Sequence, residues 1–118
     1  MTHMKNIREE WIRELKKGSI SLCLLAVIAR GKKYGFQIIK ELREASSGYY
    51  DLKEGTLYPA LHRLEKRGYL KSQWVTQESG MPRKYYSLTD KGIAVLREAK
   101  AEWKNMVRSV DNVLEAKK

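Results

Sequence analysis

The sequence predicts a mainly α, α+β fold: a winged helix-turn-helix followed by one long helix. Three observations predict it. Two helix-length amphipathic stretches, Tyr34 to Ala45 and Lys53 to Gly68, are joined by a short linker. Two short extended runs follow at once, Tyr69 to Thr76 and Arg83 to Leu88, with turn residues between them. The closing stretch carries apolar side chains at alternating spacings of three and four. On this reading residues 5–88 form the winged helix-turn-helix unit, including an N-terminal helix over 5–30. Residues 89–118 form a C-terminal dimerisation helix.

Over residues 5–30, Ile7, Trp11, Leu15, Leu22, Leu25 and Ala29 follow helical spacing. From Ile20 to Ile28 the run is apolar nearly all round, so that half is buried on several sides. Gly18-Ser19 interrupts it. Either Ser19 caps a second helix, or one continuous or slightly kinked helix runs through. The continuous helix is the expectation here. Gly31-Lys32-Lys33 reads as a turn. In the next helix Phe36, Ile38, Ile39 and Leu42 are expected to face inward, with Lys40, Glu41, Arg43 and Glu44 outward. Ser46-Ser47-Gly48 closes it, and residues 49–52 are the linker.

The stretch 53–68 has two unlike faces. Leu57, Ala60, Leu61 and Leu64 recur by three and four and share one of them. Thr56, Tyr58, His62, Arg63 and Lys66 occupy the other. Hydroxyls, an aromatic ring and cations suit phosphate oxygens and base edges. Thr56 or Glu54 lies near the helix start, Pro59 is placed in the first turn, where its missing N–H costs nothing, and Gly68 ends the helix.

Trp74, Val75, Thr76, Tyr85 and Tyr86 are good strand residues, and Glu78 to Pro82 is a turn. The resulting hairpin carries Arg83 and Lys84 at its tip. A lone hairpin is marginal in water, so it must pack on the helices, with Trp74 and Leu88 as the expected anchors. Thr89 is the N-cap of the last helix. Leu96, Ala99, Trp103, Met106, Val110 and Val113 then form a coiled-coil seam. A helix of roughly 28 residues is about 40 Å long. A small unit cannot cover that length, so the seam implies a second chain, most simply an identical one across a two-fold axis.

The chain is 118 residues long, with 24 Lys+Arg against 14 Asp+Glu and a formal net charge of +10. Half of that excess lies in residues 31–88. Such a balance favours an anionic partner. Cys23 is the only cysteine, so no disulfide forms within the chain, which fits a reducing cytoplasm. No run is long and apolar enough to span a bilayer, and no signal peptide is visible. Catalysis has little support. The two histidines, His3 and His62, form no cluster with Cys23, no nucleophile has a partnered base, and no cofactor or metal is expected.

Four runs in this order carry a resemblance: Leu25-Ala26-Val27-Ile28-Ala29-Arg30-Gly31, Tyr34-Gly35-Phe36, Glu54-Gly55-Thr56-Leu57-Tyr58-Pro59-Ala60-Leu61-His62-Arg63-Leu64-Glu65, and Pro82-Arg83-Lys84-Tyr85-Tyr86-Ser87-Leu88-Thr89. Over about residues 10–115 the chain closely resembles PadR-type transcriptional regulators. Its single C-terminal helix is similar to the smaller, LmrR-like branch of that family. The resemblance implies a winged helix-turn-helix homodimer that represses promoters and is released by small molecules.

A DNA reading assigns roles to specific residues. Thr56, Tyr58 and Pro59 lie toward the helix N-terminus, the end that enters the major groove, and His62 lies one turn on. Arg63 and Lys66 would reach phosphates. Arg83 and Lys84, with Tyr85 beside them, would sit over the adjacent backbone or minor groove. Plainer readings stand alongside: Tyr58 on the core, and His62, Lys66 and Arg67 as a solvated face. Trp103 is either a bulky anchor of the seam or one half of an aromatic sandwich across the dimer axis, with Leu15, Leu22, Ala26 and Ala99 lining the gap for a planar aromatic effector. The sequence therefore points to a cytoplasmic, sequence-specific, double-stranded DNA-binding regulator, and the resemblance implies that it is a ligand-responsive repressor. A homodimer that binds small molecules or proteins, with a weak DNA role, is the main alternative. RNA binding is a third reading, disfavoured because A-form helices hide their major groove from a recognition helix.

Overall fold

The most apolar segment of the chain is the hub around which the rest packs. In the computed structural model, which describes residues 2–115, Ile20–Ile28 forms helix α2 and buries Leu24, Leu25, Val27 and Ile28. Helices α3 (Gly35–Ala45), α4 (Glu54–Lys66) and α5 (Asp90–Leu114) all contact it. They contribute Ile38 and Leu42, then Leu57, Ala60, Leu61 and Leu64, then Leu96 to one core. Strands β1 (Lys33–Tyr34), β2 (Leu70–Thr76) and β3 (Pro82–Leu88) form an antiparallel sheet in the order β1-β3-β2. Leu70 and Tyr86 fasten that sheet to the core.

The N-terminal segment is two helices, not the continuous one expected. Helix α1 spans Thr2–Lys17, and α2 begins at Ile20. Ser19 does not cap α2 with its side chain. Its hydroxyl donates to the Lys16 carbonyl at 2.9 Å and pairs with the Tyr50 hydroxyl. Ser19 is buried, so this tertiary partner holds the break in place. The two helices also meet different surroundings: α2 is covered, whereas Met4, Trp11 and Leu15 of α1 are exposed.

Lys33 and Tyr34, expected in or just after a turn, pair with Tyr86 and Tyr85 and add a third strand to the wing. Tyr34 is also the N-cap of α3: its backbone N–H donates to the Gln37 side chain at 3.2 Å. Phe36, expected to face inward, is exposed. The inward stripe of α3 is Gly35, Ile38, Ile39 and Leu42, and Phe36 falls beside it rather than on it. Pro59 is the sixth residue of α4 and not in its first turn. It therefore forgoes a helical bond to the Gly55 carbonyl.

Leu88 packs against the core as expected, but Trp74 does not, being 63% exposed. The hairpin register explains the difference. Leu70 pairs with Leu88 and Ser72 with Tyr86 at the base, and these levels meet the helices. Trp74 pairs with Lys84 one level farther out, beyond the reach of the core.

The start of α5 is tied to the end of α4. Thr89 caps α5, accepting from the Gly92 N–H at 3.0 Å, and its hydroxyl donates to the Gly68 carbonyl at 2.5 Å. Lys91 Nζ donates to the Arg67 carbonyl at 3.1 Å. Gly92 is buried against the turn before β2: a Cβ added there would lie 2.1 Å from the Tyr69 carbonyl oxygen. The expected continuation of this helix over residues 116–118 lies outside the described residues.

Gly92→Ala is thus expected to force α5 away from Tyr69. Overpacking against backbone costs roughly 2 kcal/mol, a fall of several degrees in Tm. Thermal unfolding by circular dichroism checks it; an unchanged Tm contradicts the close approach.

Candidate nucleic-acid interface

Helix α4 is held by one face and free on the other. Leu57, Ala60, Leu61 and Leu64 are at most 2% exposed. Thr56, Pro59, His62, Arg63 and Lys66 are all exposed on the outer side. Tyr58 is 42% exposed, and its phenol lies against Gly35 at the start of α3. An added Cβ at Gly35 would come 2.1 Å from the Tyr58 hydroxyl, so glycine there leaves the ring its place.

Tyr58 and His62 face the wing across a cleft of about 540 Å³, whose other wall includes Trp74, Pro82 and Lys84. Arg83 and Lys84 are not at the hairpin tip. The turn is closed by the Gln77 N–H donating to the Met81 carbonyl at 3.1 Å, and the two cations pair with Val75 and Trp74 inside the ladder. They point to opposite faces of β3. Lys84 Nζ lies 5.8 Å from the Trp74 ring and 5.7 Å from Tyr86. The Arg83 guanidinium lies 4.4 Å from the centre of the Tyr34 ring, which orients it as a cation–π partner. Tyr85 meets Tyr34 edge-on at 5.4 Å, with Lys32 Nζ 5.8 Å from its own ring. Burial pushes the Tyr86 phenol above its usual pKa, and neighbouring Glu65 adds to that.

Thr56 falls on a different side of α4. It shares a second cleft of about 340 Å³ with Arg13, Lys16, Lys17 and Lys53. Lys16 Nζ sits 4.3 Å over the Tyr49 ring, and Asp51 at the cleft edge pairs with Arg43 at 3.6 Å. The candidate residues therefore divide: Tyr58, His62, Arg83 and Lys84 border one cleft and Thr56 another, with Pro59, Arg63 and Lys66 on the open face of α4. Among the described residues the ion pairs involve Arg30, Lys33 and Arg43, so Arg63 and Lys66 of α4 and Arg83 and Lys84 of β3 have no carboxylate partner. That leaves their charge available to an outside anion.

Sequence reasoning passed over Tyr34, Gly35, Trp74, Arg13, Lys17 and Lys53 as parts of these surfaces. The Tyr34-Gly35 pair was visible as a motif but carried no spacing signal toward Arg83 or Tyr58. Lys16-Lys17 sits far from Thr56 in the chain, and only folding joins them.

Burial pushes the Cys23 pKa up, the hydrogen bond from Tyr50 opposing it. Among the described residues no cluster of three His, Cys, Asp or Glu could hold a metal, and no helix is long and apolar enough to cross a membrane.

The seam of α5 leaves the core after its first turns. Leu96 is buried and Ala99 half-buried, whereas Trp103, Met106, Val110 and Val113 are exposed. Leu22 and Ala26 are partly buried on the core, and Leu15 is exposed on α1. Within one chain Trp103 borders a shallow cleft with Lys104, Val107, Arg108 and Asp111; Leu15, Leu22, Ala26 and Ala99 are not part of it.

Residues 24–98 match the Transcriptional regulator PadR-like family. The chain is 33% identical over 99 residues to a transcriptional regulator of Mycobacterium tuberculosis, covering 84% of this chain and 89% of that one. The crystal structure of a PadR family transcriptional regulator from Eggerthella lenta superposes with a TM-score of 0.89 at 33% identity, covering 99% of this chain and 100% of that one. A transcriptional regulator from Clostridium thermocellum superposes with a TM-score of 0.78 at 32% identity, covering 88% and 99%. With these likenesses spanning the helix-turn-helix, the wing and the terminal helix alike, the chain belongs to the PadR-like family of transcriptional regulators, which are not enzymes.

Proposed function

We propose that this protein is a cytoplasmic, homodimeric repressor that reads double-stranded DNA sequence-specifically and is released by a small-molecule effector. The observation that carries the DNA reading is the exposed face of α4 beside the wing: Tyr58, Pro59, His62, Arg63 and Lys66, then Arg83 and Lys84, with no carboxylate paired to any of these cations. A helix about 10 Å across with one free face fits the major groove, and cations on the wing fit the backbone beside it. Residues 5–88 act on this reading as the DNA-binding unit and residues 89–118 as the dimerisation helix.

The two surfaces are expected to contribute differently. Arg83→Ala with Lys84→Ala lowers affinity for all duplexes alike and flattens the salt dependence by about two for each wing, at roughly 0.9 per phosphate contact. Tyr58→Ala instead changes which sequences are preferred. Binding measured against salt, on a panel of duplexes, checks both. An unaltered slope removes the wing from the interface, and lost affinity with unaltered preference removes Tyr58 from base readout.

The exposed seam of α5 and the exposed stripe Met4, Ile7, Trp11 and Leu15 of α1 support pairing with a second copy. They also favour a second reading, a ligand- or protein-binding homodimer with a weak DNA role. In a dimer joined by α5, Trp103 meets its counterpart near the axis, with Leu15, Leu22, Ala26 and Ala99 around them and room for a planar aromatic compound. A ligand there releases DNA only by favouring the geometry that does not bind it. Light scattering should give the mass of two chains. Planar aromatics should quench tryptophan emission in the native protein, bind less tightly after Trp103→Ala, and weaken DNA binding. Undiminished affinity in the variant places the site elsewhere; binding with no effect on DNA supports the second reading.

A further inference from the structure

Trp74 is large, apolar and not used by the core. It is 63% exposed, on the face of β2 that looks toward α4. It faces Tyr58 and His62 across the 540 Å³ cleft, with Lys84 Nζ 5.8 Å from its ring. The neighbouring levels of the same face, Ser72 with Tyr86 and Leu70 with Leu88, turn inward to the core. Trp74 is the first side chain on that face to reach past it. A bare indole beside an unpaired ammonium matches a ligand that alternates apolar and anionic groups along its length.

Resting on the DNA reading above, we propose that this cleft seats one sugar-phosphate strand of the duplex, with the indole of Trp74 lying on a deoxyribose and Lys84 on an adjacent phosphate. The bases of an intact duplex are stacked and offer only their edges in the grooves, so the indole face finds no base plane to stack on. The apolar surface that a groove wall does offer is the C–H face of the sugar. Tyr58 and His62 form the opposite wall and approach the same strand from the groove side. Arg83, braced on Tyr34, also lines this cleft and reaches the backbone beside Lys84. The wing thus holds the backbone by apolar contact as well as by charge, and the two contributions differ in how they respond to salt.

That difference supplies the test. Removing the indole takes away no charge, so Trp74→Ala should weaken binding to every duplex by about fivefold to tenfold, the scale of partly burying one aromatic ring, and leave the salt slope unchanged. Lys84→Ala, measured in parallel, should flatten the slope by about one for each wing. Fluorine NMR of protein labelled with 5-fluorotryptophan gives a direct view. The chain has three tryptophans, and the Trp74 signal is the one lost in Trp74→Phe. That signal should shift on adding a duplex of any sequence. Trp74 is not part of the core, so circular dichroism should show its variants folded.

A Trp74→Ala affinity equal to that of the native protein, with an unmoved Trp74 signal, overturns the sugar contact while leaving the DNA reading in place. A slope that falls in Trp74→Ala means the ring only positions Lys84 and also overturns it. Failure of the native protein to bind any duplex overturns the DNA reading itself. A signal that moves with small aromatic anions but not with duplexes makes the cleft a small-molecule site instead.

Discussion

The burial of Leu57, Ala60, Leu61 and Leu64 is the contact on which the functional surface depends. These four residues fix both the rotation and the depth of α4 against the other helices. Shortening a buried leucine to alanine costs roughly 2–5 kcal/mol, a large share of the stability of a small unit. Rotation of α4 by one residue would place Tyr58 in the core and a leucine in solvent, so one orientation wins by a wide margin. The outer residues follow from that orientation, having no other face to occupy. Gly35 and Thr89 refine it. Gly35 leaves a berth for the Tyr58 ring, and Thr89 bonds the end of α4 to the start of α5. Any change in the angle of α5 therefore bears directly on the end of α4.

The parts of this architecture set by local chemistry were legible in the sequence. The stripe of α4 follows from spacing by three and four, the Thr89 cap from a hydroxyl three residues before its N–H donor, and the wing from β-prone runs around a turn. What escaped was set by contacts distant in the chain. The break between α1 and α2 is held by Tyr50, thirty-one residues on from Ser19. Strand β1 is two residues long and exists only through its pairing with β3. Phe36 and Trp74 misled for one reason: hydrophobicity marks what prefers burial, but the register of an element decides what reaches the core.

The candidate site shows the same division. The types of residue on α4 and the cations before Tyr85 could be read directly. Their grouping could not. Adjacency in sequence makes Arg83 and Lys84 look like a pair at the tip, yet they lie in the ladder on opposite faces of β3, each with its own aromatic neighbours. Spacing groups Thr56 with Tyr58, yet Thr56 opens on the side of α4 where Arg13, Lys17 and Lys53 collect. Both sides of α4 are thus lined by basic residues, an arrangement suited to a helix with a phosphate backbone on each side of it. The exposed apolar residues of α5, Trp103, Met106, Val110 and Val113, line neither of these two clefts.

On the proposed function, two α4 helices, joined through α5, read two half-sites on one duplex. The most direct measurement is hydroxyl-radical footprinting on genomic fragments selected by the purified protein. Two protected half-sites of related, inverted sequence, with centres about 10 base pairs apart or a multiple of that, are the expected result. A single protected half-site, or even protection without sequence selection, would contradict it.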